Sequence, residues 1–236
     1  MNNQTNGKEQ VSVAVPAQRK MILSNASPFA LQEAYKTLRT NMLFALRGKG
    51  CKRFCITSSI PGEGKSITIL NLAISIAQTG KKVLLIDADL RRPALARLLA
   101  VNPVPGLSNV LAGQSSESDA IRAEIYPNLD VVFSGDIPPN PSEILSSEQM
   151  QRLVEDMSLR YDYILVDTPP VNMVSDCCLV ANLLDGVVLL ARQGKARKDG
   201  VKQAMSQLTL TGAKVLGCVF NGVLLNTKRY YRYNYK

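Results

Sequence analysis

The residues with the clearest chemical content are Ser59-Ile60-Pro61-Gly62-Glu63-Gly64-Lys65-Ser66. An apolar run, Phe54 to Ile56, precedes them, and a run with helical spacing, Ile67 to Gln78, follows. Within that second run Ile69, Leu72, Ala73, Ile76 and Ala77 fall on one face. Strand, glycine-bearing turn and helix make a phosphate cradle. Small residues let backbone N–H groups close on an anion, and the helix N-terminus adds roughly half a positive charge. Lys65 is expected to reach the terminal phosphates, and the Ser66 hydroxyl to bind Mg²⁺. Nucleotide contacts are expected from Pro61, Gly62, Glu63, Gly64, Lys65, Ser66 and Ile67. The usual loop begins with glycine five residues before Gly64, and here that position is Ser59. A structural turn with an exposed lysine is the bland alternative, and the strand–helix context argues against it.

Two further stretches carry carboxylates at strand ends. Lys82 to Ile86 reads as a strand and runs into Asp87-Ala88-Asp89-Leu90-Arg91-Arg92-Pro93. Carboxylates at alternate positions just past a strand point the same way. They sit at the carboxyl end of the sheet, where open α/β sheets bind ligands. A capped Asp-x-Asp turn is the structural alternative, which the two following arginines disfavour. Tyr163 to Val166 is another strand, ending in Asp167-Thr168-Pro169-Pro170. An aspartate there is where a nucleotidase holds Mg²⁺, usually through water. That pattern is weak alone and strong about a hundred residues after Gly-Lys-Ser.

These pieces add up to phosphoryl transfer from a nucleoside triphosphate. Lys65 and the loop amides neutralise phosphate charge, while Ser66 and Asp167 fix the metal. One of Asp87 and Asp89 takes a proton from an attacking hydroxyl, and the other orders metal-bound water. Spacing leaves these two roles unassigned; Asp89 joins Ser66 and Asp167 in the candidate metal set. The chain has no histidine, so any proton abstraction falls to a carboxylate, lysine or tyrosine. Cys51, Cys55, Cys177, Cys178 and Cys218 have no metal-ligand spacing. Most lie in or beside apolar runs and read as buried thiols in a reducing compartment.

The positioning elements follow from period and punctuation. Length, 236 residues, and a hydrophobic fraction of 46% suit one α/β domain with a substantial core. No apolar run reaches the ~18 residues of a membrane span, and no signal peptide is visible, so a soluble, cytoplasmic chain is expected. Ser27 caps and Pro28 opens a helix running to about Leu46. Along it Glu33, Lys36 and Arg39 recur at three-residue spacing, a pattern that also suits a solvated face. Short helices and turns fill Ala94 to Ala112, and Leu129 to Phe133 is a strand. Ser142 to about Leu159 is helical with a bend near Ser146-Ser147. Ser175 to Leu184 is a short helix, Gly186 to Ala191 a strand, and Lys198 to Leu210 a helix burying Val201, Ala204, Met205 and Leu208. Lys214 to Phe220 is a sixth strand ending in Asn221, an amide placed to read a base edge or to make a turn. Alternating strands and helices predict an α/β, doubly wound, mainly parallel sheet with helices on both faces. Residues 1–24 read as a flexible lead, 25–225 as the catalytic domain and 226–236 as a mobile tail.

The tail carries the question of the acceptor. Tyr230, Tyr231, Tyr233 and Tyr235 lie in the last seven residues, among Lys228, Arg229, Arg232 and Lys236. Net charge is +9, from 28 basic and 19 acidic side chains, which by itself suits nucleic acid, anionic lipid or an acidic protein. Water as acceptor makes an ATPase; a tyrosine hydroxyl makes a protein kinase. Basic residues interleaved with aromatics also suit a lipid- or RNA-binding arm.

The segments Pro61–Ser66, Leu85–Pro93 and Ile164–Pro170, with the terminal tyrosines, resemble bacterial tyrosine kinases. They most resemble the type whose cytoplasmic kinase is separate from its membrane activator. In that family these segments are the deviant Walker A, A′ and B motifs of a P-loop NTPase-like fold. The resemblance implies use of ATP and Mg²⁺, and autophosphorylation of Tyr230, Tyr231, Tyr233 and Tyr235 in trans. The reaction would occur inside a homo-oligomeric ring, with eight subunits as one size. It implies a transmembrane activator that recruits the kinase to the inner face of the membrane, a cognate tyrosine phosphatase and other protein substrates. The implied role is in capsule or exopolysaccharide synthesis and export, with no nucleic-acid partner. A glutamate and two arginines, each three apart, build the family's ring contact; Glu33, Lys36 and Arg39 occupy that pattern here, with lysine in the middle. The competing reading is a partition- or septum-placing type of ATPase acting as a nucleotide-gated scaffold. Those proteins carry a second lysine five positions before the loop lysine, where this chain has Ile60.

Overall fold

Alternation along the central strands sends apolar side chains to both faces of one sheet. The computed structural model describes residues 21–223. The terminal tyrosines, the 226–236 tail and nearly all of the 1–24 lead lie outside the described residues. The elements in order are α1 (Phe29–Ala45), β1 (Lys52–Ser58), α2 (Lys65–Ala77), β2 (Val83–Asp87), α3 (Leu95–Leu99) and α4 (Leu107–Leu111). There follow α5 (Glu117–Ala120), β3 (Ile121–Tyr126), β4 (Leu129–Val132), α6 (Pro141–Leu145), α7 (Glu148–Ser158) and β5 (Tyr163–Asp167). Last come α8 (Asp176–Ala181), β6 (Gly186–Arg192), α9 (Lys198–Leu210) and β7 (Val215–Asn221). The strands form one sheet in the order β3-β4-β2-β5-β1-β6-β7. Every neighbouring pair is parallel except β3 with β4.

Two apolar layers flank this sheet. On one face Phe54 and Ile56 of β1, Val83 and Leu85 of β2 and Leu165 of β5 pack with α2. On the other face Cys55, Leu84, Ile86, Ile164 and Val166 pack beneath α7 and α8. Fully burying each such aliphatic side chain contributes roughly 1.5–3 kcal/mol relative to leaving it exposed. Helix α2 is buried nearly all round, because α1 covers the side that the sheet does not. Buried polar groups on that side are used. Asn71 accepts from the Leu23 amide at 2.8 Å and donates to the Met21 carbonyl at 2.9 Å. The Ser75 carbonyl accepts from Arg39 at 2.5 Å.

Several local expectations differ from the structure. Pro28 itself is the N-cap of α1, and the Ser27 hydroxyl instead accepts from the Ser24 amide. Helix α2 starts at Lys65 rather than Ile67, since the loop leads straight into the first turn. Strand β3 was not expected: it is a short edge strand, its pairing shifts register, and Glu124 takes φ 51°. Met205 is exposed while Ala204 and Leu208 are buried, because α9 packs on the sheet's last strand and, among the described residues, the margin of its stripe is left uncovered. The bend at Ser146-Ser147 is present as the break between α6 and α7, with the Ser147 hydroxyl capping α7. All five cysteines are free; Cys55, Cys177 and Cys178 are buried, Cys51 partly so, and Cys218 is exposed on β7. Among the described residues no helix is long and apolar enough to cross a membrane.

Asn71→Ala removes both anchors of the 21–23 segment and leaves the buried Leu23 amide without its acceptor. The expected loss is about 1–3 kcal/mol in urea unfolding with an unchanged m-value. A loss under about 0.5 kcal/mol would show that water replaces the amide and that the anchor contributes little.

Candidate active site

The site forms where β1 ends and α2 begins. Gly62 at φ 74° and Gly64 at φ 98° turn the chain, and Gly64 is the N-cap of α2. Both backbones are also closely approached. A Cβ at Gly64 would lie 2.5 Å from the Asn221 amide nitrogen, and one at Gly62 would collide with the Lys195 ammonium. A 13-residue helix therefore aims its free N–H groups into the cavity from a loop with no side chains in the way.

Glu63 holds the loop in shape. It is fully buried, and its carboxylate accepts from the Ser59 hydroxyl and the Ile60 amide, each at 3.0 Å. Its other oxygen accepts from the Arg192 amide at the end of β6, also at 3.0 Å. Its carbonyl accepts from the Asn221 side chain at 2.8 Å. The Glu63 side chain thus faces the protein, leaving only its backbone for the ligand. The Asn221 side chain is bound to the loop and to the Gly222 amide, so it acts as a turn residue that also lines the cavity.

Three carboxylates stand beside the loop. In the parallel register Asp87 of β2 lies opposite Asp167 of β5, and Asp167 lies opposite Ile56 of β1. Asp87 is fully buried and accepts from the Asp89 and Leu95 amides at 3.3 and 3.2 Å. Burial, and then the neighbouring Asp167 charge, hold it well above the usual carboxylate range. Asp89 is 8% exposed, lines the cavity and accepts from the Arg92 amide at 3.0 Å. Asp167 is fully buried, and neither oxygen makes a hydrogen bond of good geometry. Burial pushes it up to about 7, against the opposing pull of the Lys65 charge and the nearby Ser66 hydroxyl. A buried carboxylate with free oxygens beside a hydroxyl is a donor set that fits Mg²⁺, a hard cation with oxygen ligands.

The cavity measures about 490 Å³. Pro61, Gly62, Gly64, Lys65, Ser66, Ile67, Asp89 and Asn221 line it. Asp87 and Asp167 stand behind its wall. Glu33, Lys36 and Arg39 do not line it. Lys36 pairs with Glu33 at 2.7 Å on the surface of α1, and Arg39 is turned onto the Ser75 carbonyl of its own chain. Sequence reasoning missed Arg192 at the cavity wall and Lys195 over Gly62. The signal was present: Gln193-Gly194-Lys195 follows a strand, a second glycine turn carrying a cation.

A glycine loop between strand and helix, with acidic strand tips beside it, defines a P-loop nucleotide-binding protein. The profile of the family described as AAA domain matches residues 52–215. Tyrosine-protein kinase YwqD of Bacillus subtilis (strain 168) is 42% identical over 216 residues, covering 92% of this chain and 91% of that one. The kinase domain of Escherichia coli tyrosine kinase ETK superposes with a TM-score of 0.80 at 37% identity, over 83% of this chain and 77% of that one. The septum site-determining protein MinD of Pyrococcus horikoshii OT3, with Mg-ADP, gives 0.62 at 23% identity over 72% and 70%, a likeness of fold. The chain belongs to the bacterial tyrosine-protein kinase family.

Two outcomes test this geometry. The folded pKa of Asp167 lies above its unfolded value of about 4, so metal-free protein loses stability as pH rises from about 4 to about 7. Asp167→Asn should therefore exceed the parent in thermal stability at pH 8 by more than at pH 6; an equal gap at both would contradict the raised pKa. Glu63→Ala should cost roughly 2–3 kcal/mol and weaken nucleotide binding at least about tenfold, read by titration with a fluorescent nucleotide. Unchanged affinity would mean the loop keeps its shape without this carboxylate.

Proposed function

We propose that this chain is an ATP-dependent protein-tyrosine kinase that phosphorylates its own C-terminal tyrosines. The observation that carries the reading is Asp167, a buried carboxylate with free oxygens beside Ser66 and Lys65 at the phosphate cradle. Family membership at 42% identity supports the choice of tyrosine as acceptor.

The chain's own groups divide the work. The α2 N-terminus, the loop amides and Lys65 hold the β- and γ-phosphates of ATP. Ser66, Asp89 and Asp167 would hold Mg²⁺, which would supply charge neutralisation for the phosphates. One of Asp87 and Asp89 takes the phenolic proton and the other orders metal-bound water; Asp89 lines the cavity and Asp87 stands directly behind it. Tyr230, Tyr231, Tyr233 and Tyr235 are the acceptors, delivered in trans within a ring built on Glu33, Lys36 and Arg39. In this reading Arg39 and Lys36 must exchange their present partners for a neighbour's groups as the ring closes. The partners are further copies of the chain, a transmembrane activator at the inner face of the membrane, a tyrosine phosphatase and other protein substrates. The process served is capsule or exopolysaccharide synthesis.

Incubation with ATP and Mg²⁺, and activator where available, should place phosphate on the tail tyrosines, mapped by mass spectrometry. Lys65→Met should abolish it while leaving the circular-dichroism spectrum unchanged. Release of free phosphate with every tail tyrosine unmodified would make the chain an ATPase of the scaffold type instead.

A further inference from the structure

Strand order gives the cavity a direction. The loop follows β1; β6 and β7 lie on one side of it and bring Arg192, Asn221 and Gly222 to the wall. On the other side β5 and β2 bring Asp167, Asp87 and Asp89. On the kinase reading, phosphate would sit in the middle, where α2 begins. Every carboxylate able to serve the transfer stands on the β5–β2 side, so the acceptor must approach there. Arg91, Arg92 and Arg97 line the cavity on that side, with Leu98 and Met173.

The three arginines are not equivalent. Arg91 donates to both oxygens of the fully buried Asp176, at 2.7 and 3.1 Å, and to the Ser142 hydroxyl at 2.9 Å. Its charge is matched, and it braces the loop after β2 against α8. Arg92 and Arg97 are exposed, and among the described residues neither has a carboxylate within ion-pair distance. The Arg92 amide, donating to the Asp89 carboxylate, fixes the segment carrying them beside the aspartate pair. Two unmatched cations flank the entry that an acceptor must use.

Resting on the kinase reading above, we infer that Arg92 and Arg97 select acceptor tyrosines with anionic neighbours, carboxylate or phosphate, within a few residues of the phenol. Substrate proteins are then recognised at acidic tyrosine segments. The unmodified tail, flanked by Lys228, Arg229, Arg232 and Lys236, meets this rim at a disadvantage. Its tyrosines lie one or two residues apart. Each phosphate adds a charge of about −1.5 to −2, so the first modification supplies the anionic neighbour for the next.

The test uses the full chain with ATP, Mg²⁺ and three peptides of equal length, a central tyrosine flanked by Glu, Gln or Lys. Glu-flanked peptide should exceed Lys-flanked peptide about tenfold in kcat/KM, which corresponds to about 1.4 kcal/mol. A tail peptide already phosphorylated at one tyrosine should exceed the unmodified one in the same sense. Arg92→Gln and Arg97→Gln should each shrink the Glu-to-Lys ratio, and the double variant Arg92→Glu/Arg97→Glu should invert it. A ratio within one protein divides out any general loss of activity or folded fraction. Equal rates on all three peptides, or a ratio untouched by charge reversal, would overturn the inference and leave the kinase reading intact. Absence of phosphotyrosine on every peptide and on the tail, with ATP still bound, would overturn both.

Discussion

A carboxylate buried without a matching cation is the constraint around which this site is built. Removing an ionised aspartate from water costs several kcal/mol unless a charge or donors replace the lost hydration. Asp167 has the Lys65 charge near it, yet burial outweighs that attraction and the group is held near neutrality. The parallel register that sets Asp87 opposite Asp167 raises the cost further, since two adjacent carboxylates resist joint ionisation. A divalent cation beside these carboxylates would offset the burial cost and the mutual repulsion. On the proposed kinase reading, a magnesium nucleotide would complete this charge balance.

That incompleteness is tolerable because the scaffold is over-determined. Central strands buried on both faces, and α2 enclosed by sheet and α1, hold the carboxylates where they would not settle alone. The Glu63 latch joins the loop to β6, and Asn221 joins it to β7. The loop's shape is thereby coupled to the far edge of the sheet. The same strand order separates the cavity's ends, with the aspartates toward β5 and β2 and the Asn221 edge opposite. Phosphoryl transfer requires donor and acceptor in line, and opposite walls of one cavity supply that separation.

Much of the architecture was legible from period and punctuation. The six expected strands are all present, with ends shifted by a residue or two, and the break between α6 and α7 falls at the serines that suggested it. The failures share a cause. Among the described residues strand β3 pairs with β4 alone, at an edge where its residues are at most half-buried and show no strict alternation. Met205 satisfies helical spacing but stays exposed beside buried Ala204 and Leu208. Ser27 has a good capping side chain, and its neighbour's amide reached it first. In each case a local rule was obeyed or broken by what lay across from it.

The cradle itself needed no third dimension to be read. Two glycines that accept positive φ, a lysine and a serine, with a strand before and a helix after, constrain one another over a dozen residues. Backbone geometry at that range leaves few options. Side-chain partnerships are another matter. Glu63 meets Arg192 across 129 residues and Asn221 across 158, and Arg39 reaches Ser75 across 36. Whether a polar side chain faces a ligand, a neighbouring copy or its own chain depends on which elements the fold brings beside it. Spacing along the chain carries no record of that choice. The candidate contact residues Glu63, Asn221 and Arg39 therefore took their present partners only on folding, because burial obliges each to find the nearest one.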